Sequence, residues 1–244
     1  MPTATSSRTV PDVRRFELKY RLDLSTYQRL RCALRRFARH DHFSEAGRDR
    51  RYFVRSLYFD TYDYLAYEEK ITGVANRIKL RIRSYWPTRA AARFVTLELK
   101  TKTGALVGKL AQRITLDEYD HFLTTRAWPQ PLGPVADEFR RLLLLRVQQP
   151  RVIVDYDREA LVPLDRSDVR ITFDHGMRFA AATGLFPTRP FFHAERPQCV
   201  VLEIKYRTAQ PVWLERLCRQ YGLSSAPNSK YARGIEQTQH AIYR

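Results

Sequence analysis

No stretch of the 244-residue chain is apolar for long enough to cross a bilayer, which excludes a helical membrane span. The opening residues "MPTATSSRTV" have no hydrophobic run of the signal-peptide kind and read as a short flexible arm over residues 1–12. Cysteine is scarce. Cys32, Cys199 and Cys218 are odd in number and far apart, which excludes a disulfide framework and any thiolate metal spacing and points to a reducing cytoplasm. Acidic residues are also in short supply, 26 against 43 Lys and Arg, a formal net charge of +17. That balance suits a polyanionic partner: nucleic acid, an anionic membrane or phosphorylated small molecules. No linker or internal repeat divides the chain, so residues 13–244 are expected to form one domain.

What is abundant is alternation. "RIKLRIRSY" places Arg77, Lys79, Arg81 and Arg83 at every second position, with Ile78, Leu80 and Ile82 between them. In a strand the cations share one face and the aliphatics the other. Same-face cations roughly 7 Å apart repel by about 2 kcal/mol at an effective dielectric near 20, so the arrangement calls for an anion. The bias recurs. "RRFELKYRL" sets Arg15, Glu17 and Lys19 opposite Phe16, Leu18 and Tyr20, and "FVTLELKTK" aligns Thr96, Glu98, Lys100 and Lys102. "ALVGKLAQRIT" carries Lys109 and Arg113, "RVIVDYDREAL" carries Tyr156 and Arg158, and "DVRITFDH" carries Arg170, Thr172 and Asp174. "CVVLEIKYR" brings Glu203, Lys205 and Arg207, and "RYFVRSLYFD" is a further β-prone run. One such strand would suit a solvent-wet face; five or six do not.

Helical periodicity lies between these runs. Tyr27, Leu30, Leu34 and Phe37 step by three and four behind Asp23 or Ser25 as cap, and "TLDE" at 115–118 is a capping box. Residues 134–147, 211–221 before Gly222, and 229 onward also read as helix. Loops are expected at "HDHFSEAGRDR", "WPTRAAA", "AWPQPLGP" and "ATGLFPTRPFFHAERP". About eight strands with one charged face each, plus helices to cover the apolar face, predict an α+β fold: a closed antiparallel eight-stranded β-barrel with a basic lumen and helices packed outside.

The order of motifs resembles the VTC domain, the polyphosphate polymerase domain of the triphosphate tunnel metalloenzymes. The resemblance is carried by "FELKY" at 16–20, "SLYFDT" at 56–61, "RIKLRIRSY" at 77–85, "LELK" at 97–100 and Lys109. It continues through "DYDR" at 155–158, "VRITFD" at 169–174, "LEIK" at 202–205 and "SKY" at 229–231, and spans residues 13 to 235. It implies a tunnel that holds a triphosphate and, with Mn²⁺ or Mg²⁺, transfers the terminal phosphoryl group of ATP to growing polyphosphate. By position it implies that Lys79, Arg81 and Arg83 grip phosphates and that Lys100, Lys109, Arg170, Lys205 and Lys230 complete the cage. It further implies that Tyr156 donates a hydrogen bond and that Lys19, Arg158 and Glu203 are catalytic. Glu203 would be the metal ligand; Glu17 would touch the metal or pair with a neighbouring lysine. Phosphoryl transfer needs positioning and charge neutralisation, which such a residue set supplies.

One departure bears on activity. The related CYTH triphosphatases carry Glu-x-Glu-x-Lys on the first strand, whereas this chain reads Arg15-Phe16-Glu17-Leu18-Lys19. The missing carboxylate favours the polymerase-like branch over an inorganic or nucleoside triphosphatase. The remaining alternative is a non-catalytic module that binds RNA or polyphosphate; the residues interleaved in "RIKLRIRSY" are aliphatic rather than aromatic, which argues against a nucleic-acid reader, so no nucleic-acid partner is expected. ATP, pyrophosphate and polyphosphate are the expected ligands. Eukaryotic VTC polymerases also carry a membrane segment and an SPX domain; neither stands in these 244 residues, so coupling to translocation is not expected to be encoded in them, which leaves room for a separate membrane partner. "GALVGK" is one residue short of a phosphate-binding loop and reads as a hairpin that feeds Lys109 inward, and His40 and His42 in "RHDH" read as a surface loop.

Overall fold

The computed structural model describes residues 9–10, 14–195 and 199–239; the rest of the expected N-terminal arm lies outside the described residues. The strands are β1 (Thr9–Val10), β2 (Phe16–Leu22), β3 (Ala38–His40), β4 (Tyr52–Asp60), β5 (Asn76–Ser84) and β6 (Val95–Thr103). They continue as β7 (Leu106–Ile114), β8 (Gln149–Pro163), β9 (Val169–Ala181), β10 (His193–Ala194) and β11 (Val200–Tyr206). The α-helices are α1 (Leu24–Leu34), α2 (His42–Ala46), α3 (Leu65–Ile71), α4 (Leu116–Thr125), α5 (Pro134–Leu145), α6 (Val212–Gln220) and α7 (Lys230–Gln239).

Local chemistry sets most of these boundaries. Asp23 caps α1 by accepting the Thr26 N–H at 2.7 Å, and Thr115 and Glu118 form the reciprocal capping box that opens α4. Gly222, just past α6, has φ +60°, the left-handed value glycine adopts without strain. "GALVGK" is the β6–β7 hairpin, with Gly104 at φ +58° in its turn. The "HDHFSEAGRDR" stretch, expected as a loop, folds instead into α2 and a 3₁₀ turn at Arg48–Arg50, because Asp41 accepts the Ser44 N–H and starts a helix.

All strand pairs are antiparallel, and the sheet runs in the order β1-β7-β6-β5-β4-β8-β9-β11-β2, with β10 on β9 and β3 on β8. Eight of its strands are long; β1, β3 and β10 are short additions. Among the described residues no hydrogen-bonded ladder closes this sheet. Its β2 end meets β7 at a single bridge, where the Arg15 and Val107 N–H groups donate to each other's carbonyls at 3.0 and 2.9 Å. The expected closed barrel is thus present among the described residues as a large antiparallel sheet, whose β2 side also reaches the β6 side through Glu17 and Lys100 at 2.8 Å.

The aliphatic parity of β5 and β6 faces outward. Leu80, Ile82, Leu97 and Leu99 pack beneath α4 and α5 with Phe122 and Phe139. A second cluster buries Tyr20, Leu22, Ile171 and Leu202 under α1 and α6. The third departs from expectation. Val152 and Val154 share their strand parity with Tyr156 and Arg158, yet they pack on Tyr231 and Ile235 of α7. So α7 lies against the inward face of the sheet, not outside it. It docks tightly: a Cβ on Gly234 would stand 2.9 Å from Val152 Cγ2.

Candidate functional site

The inward faces enclose a cavity of about 1340 Å³. The thirteen residues that the resemblance gives a site role all line it: Glu17, Lys19, Lys79, Arg81, Arg83, Lys100, Lys109, Tyr156, Arg158, Arg170, Glu203, Lys205 and Lys230. Arg15, Arg77, Lys102 and Arg113 line it as well, which extends the alternation along β5, β6 and β7. Arg207, of the same parity as Glu203 and Lys205, instead points to solvent and pairs with Asp168 at 2.7 Å.

Glu203 is the buried hub. Lys230 Nζ lies 2.6 Å and Lys205 Nζ 2.8 Å from its oxygens, with Lys19 and Arg158 each at 3.6 Å. Burial by itself would raise its pKa; Lys205, Lys230, Lys19 and Arg158 together outweigh burial and hold the carboxyl well below its usual range. Lys230 comes from the first turn of α7 and bridges Glu203 and Asp174, both at 2.6 Å. Asp174 also grips Arg158 in a bidentate fork at 2.6 and 2.9 Å. Tyr156 presents its ring to these cations, with Arg158 at 5.1 Å and Lys230 at 5.0 Å from its centroid.

A second carboxylate supports the β5 wall. Glu98, 1 % exposed, accepts a charge-assisted hydrogen bond from Arg81 Nε and lies 3.4 Å from Lys109 and 3.6 Å from Arg83. Arg81 also donates to the Tyr58 hydroxyl at 3.0 Å. Glu17 has Lys100 Nζ at 2.8 Å and Lys19 at 3.9 Å. Arg170 is tied at 2.6 Å to Asp41, the α2 cap.

Lys79 differs from the rest. Among the described residues no carboxylate lies within ion-pair distance of it; Ser229 Oγ is at 3.4 Å and the Tyr231 ring at 4.8 Å. Burial, and then Arg77, Lys100, Lys70 and Lys19, push its pKa down to about 7. Burial likewise brings Lys205 down to about 7, against the pull of Glu203. Ten of the residues singled out are cations, facing the four carboxylates Glu17, Glu98, Asp174 and Glu203, so the cavity holds excess positive charge.

Among the described residues no group of three or more His, Cys, Asp and Glu side chains is placed to hold a metal ion. The donors that fit a hard divalent cation are Glu203 and Glu17, diagonal neighbours across the β11–β2 pair. Two carboxylates suffice where substrate phosphates supply the remaining oxygens, the usual mode for Mg²⁺. His40 is no ligand of this kind: on β3, its Nε2 lies 2.7 Å from Glu159 Oε1, on the opposite face of β8 from Arg158. The roles of Glu98, Asp174, Tyr58 and Asp41 were not assigned from the sequence. Their one sequence signal was parity, since Glu98 and Asp174 share the cation-bearing faces of their strands.

The family profile described as VTC domain matches residues 14–239. No curated protein matches the chain. Among solved structures, a candidate adenylate cyclase from Bacillus halodurans aligns at 17% identity and a TM-score of 0.57, covering 90% of this chain and 96% of that one. A candidate adenylate cyclase from Vibrio parahaemolyticus aligns at 14% identity and a TM-score of 0.44, covering 92% of this chain and 97% of that one. The first of these establishes a shared fold.

Proposed function

The chain belongs to the VTC-domain family, and from that premise we propose that it is a polyphosphate polymerase acting on cytoplasmic ATP. The observation that supports this most is the excess of inward cations gathered around Glu203 in one cavity. We read the curled sheet as a tunnel that threads a phosphate chain. The terminal phosphate of the acceptor attacks the γ-phosphorus of ATP. A new P–O bond forms, the bond from the γ-phosphorus to the bridging oxygen breaks, and that oxygen leaves on ADP. An acceptor phosphate is largely ionised at neutral pH, so the attack needs no general base.

The chain's work is positioning and neutralisation. Arg81 and Arg83 are pre-aimed by Glu98, and Arg158 and Lys230 by Asp174, so their N–H groups need little reorganisation when the transferring group spreads its charge. Glu203, with Glu17 beside it, would hold Mn²⁺ or Mg²⁺, whose chemistry is Lewis-acid neutralisation of phosphate charge. Incubation of pure protein with ATP and Mn²⁺ is expected to give a polyphosphate ladder on a gel. ADP and free phosphate alone would assign the site to a triphosphatase. Glu203→Ala is expected to abolish turnover while tripolyphosphate still binds; full turnover in that variant would remove Glu203 from the reaction.

A further inference from the structure

We propose a second anion site on the outer face of the sheet, at the C-terminal end of α1, that takes an inorganic oligophosphate. A separate cavity of about 450 Å³ opens there between α1 and the turn that follows α2. Four arginines line it: Arg31 and Arg35 from the end of α1, Arg50 and Arg51 from the turn. The turn is tight, because a Cβ on Gly47 would fall 1.8 Å from the Arg51 carbonyl oxygen. That fold-back sets Arg50 and Arg51 opposite α1.

The negative end of the α1 dipole explains cations at Arg31 and Arg35. It does not explain two more across the cavity. Arg31 is neutralised by the buried Glu159, which its Nε meets at 2.6 Å. Arg51 reaches the Tyr27 hydroxyl at 3.4 Å, while its own Nε is shut off from solvent and meets no acceptor among the described residues. Asp49, the carboxylate in the lining, is 80 % exposed and lies 4.0 Å from Arg48. It does not neutralise the three remaining guanidinium groups. An anion with several oxygens does, since guanidinium forks match phosphate oxygens in pairs.

The lining also separates an inorganic chain from a nucleotide. Its aromatic residue, Tyr27, is buried against Phe173 and His175 with its hydroxyl on Glu159 at 2.6 Å, which leaves no open ring for a base. Glu159 directly follows Arg158 on β8, so this site backs the same strand that supplies the cavity with Arg158.

Calorimetric titration of the full chain with sodium tripolyphosphate at low salt tests the assignment. Two classes of site are expected. Arg35→Ala with Arg50→Ala, both exposed positions, should weaken one class at least tenfold, and Arg50→Glu alone should do the same. Lys79→Ala with Arg81→Ala should weaken only the other class. Tripolyphosphate binding in which no class, single or second, is weakened by the Arg35 and Arg50 changes would overturn the proposal. Tighter binding of ATP than of tripolyphosphate at the outer class would overturn its assignment to an inorganic anion. These readouts need no turnover, so they stand apart from the polymerase test.

Discussion

Replacing Glu98 with Gln keeps the side chain's shape and removes its charge. The Gln carbonyl can still accept one hydrogen bond, from Arg81, but its NH₂ group then faces Arg83 and Lys109, which lie 3.6 and 3.4 Å from the present carboxylate. Three cations lose their shared counter-charge in a place with almost no solvent. Breaking a buried ion pair by removing one partner costs about 3–5 kcal/mol. For a chain of this length each kcal/mol moves the melting temperature by about 2–4 °C, so Glu98→Gln should melt roughly 6–20 °C lower. A bound phosphate chain offers negative charge to the same guanidinium groups. Ligand at a hundred times its Kd adds about 2.7 kcal/mol to any folded protein, and the gain should be larger in the variant, where the anion also replaces a missing partner. Differential scanning fluorimetry with and without tripolyphosphate reads both quantities. A variant that melts within about 2 °C of the parent, or gains no more from the ligand than the parent does, would refute Glu98 as the support of that wall.

Three further outcomes follow from the same geometry. Alanine at Lys79, Arg81 or Arg83 should each weaken ATP binding by about ten- to a hundredfold, the worth of one charge-assisted hydrogen bond, and added salt should narrow the difference from the parent. Lys79 and Lys205 have pKa values near 7 here against 10.5 in the unfolded chain, so between those limits the unfolded state binds more protons and stability of the unliganded protein rises with pH. Urea melts at pH 7 and 9 check that sign, and tripolyphosphate binding at pH 8 should take up protons, seen as a buffer-dependent heat. Gly234→Ala should cost about 1–3 kcal/mol by lifting α7 off Val152, and because α7 carries Lys230 and Tyr231 it should weaken tripolyphosphate binding too. Lost stability with unchanged affinity would uncouple α7 from the cavity.

The inward residues were legible because strand parity is a local property. Lys79, Arg81 and Arg83 cannot share a face with Leu80 and Ile82 in any extended segment, so one correct strand assignment places them all. Caps were legible for the same reason, since Asp23 and the Thr115–Glu118 box act within four residues. Partnerships were not. Glu98 stands opposite Arg81, Asp174 opposite Arg158 and Glu203 opposite Lys19 only because of cross-strand register, which no local pattern records. The side of the sheet on which α7 docks was hidden for a related reason: an apolar stripe shows which face of a helix is buried, not against which surface. The short α2 and α3 were missed because five and seven residues hold too few turns for a periodicity to emerge.

The pairing of β2 with β11 has a consequence for how the molecule is made. The wall bearing Arg81, Arg83, Glu98 and Lys109 comes from consecutive hairpins and can form as soon as that stretch leaves the ribosome. Lys19 waits for Glu203, about 180 positions downstream, which at typical elongation rates is a delay on the order of 10–40 s. Until then the nascent chain presents an unzipped first strand and a half-built basic cleft.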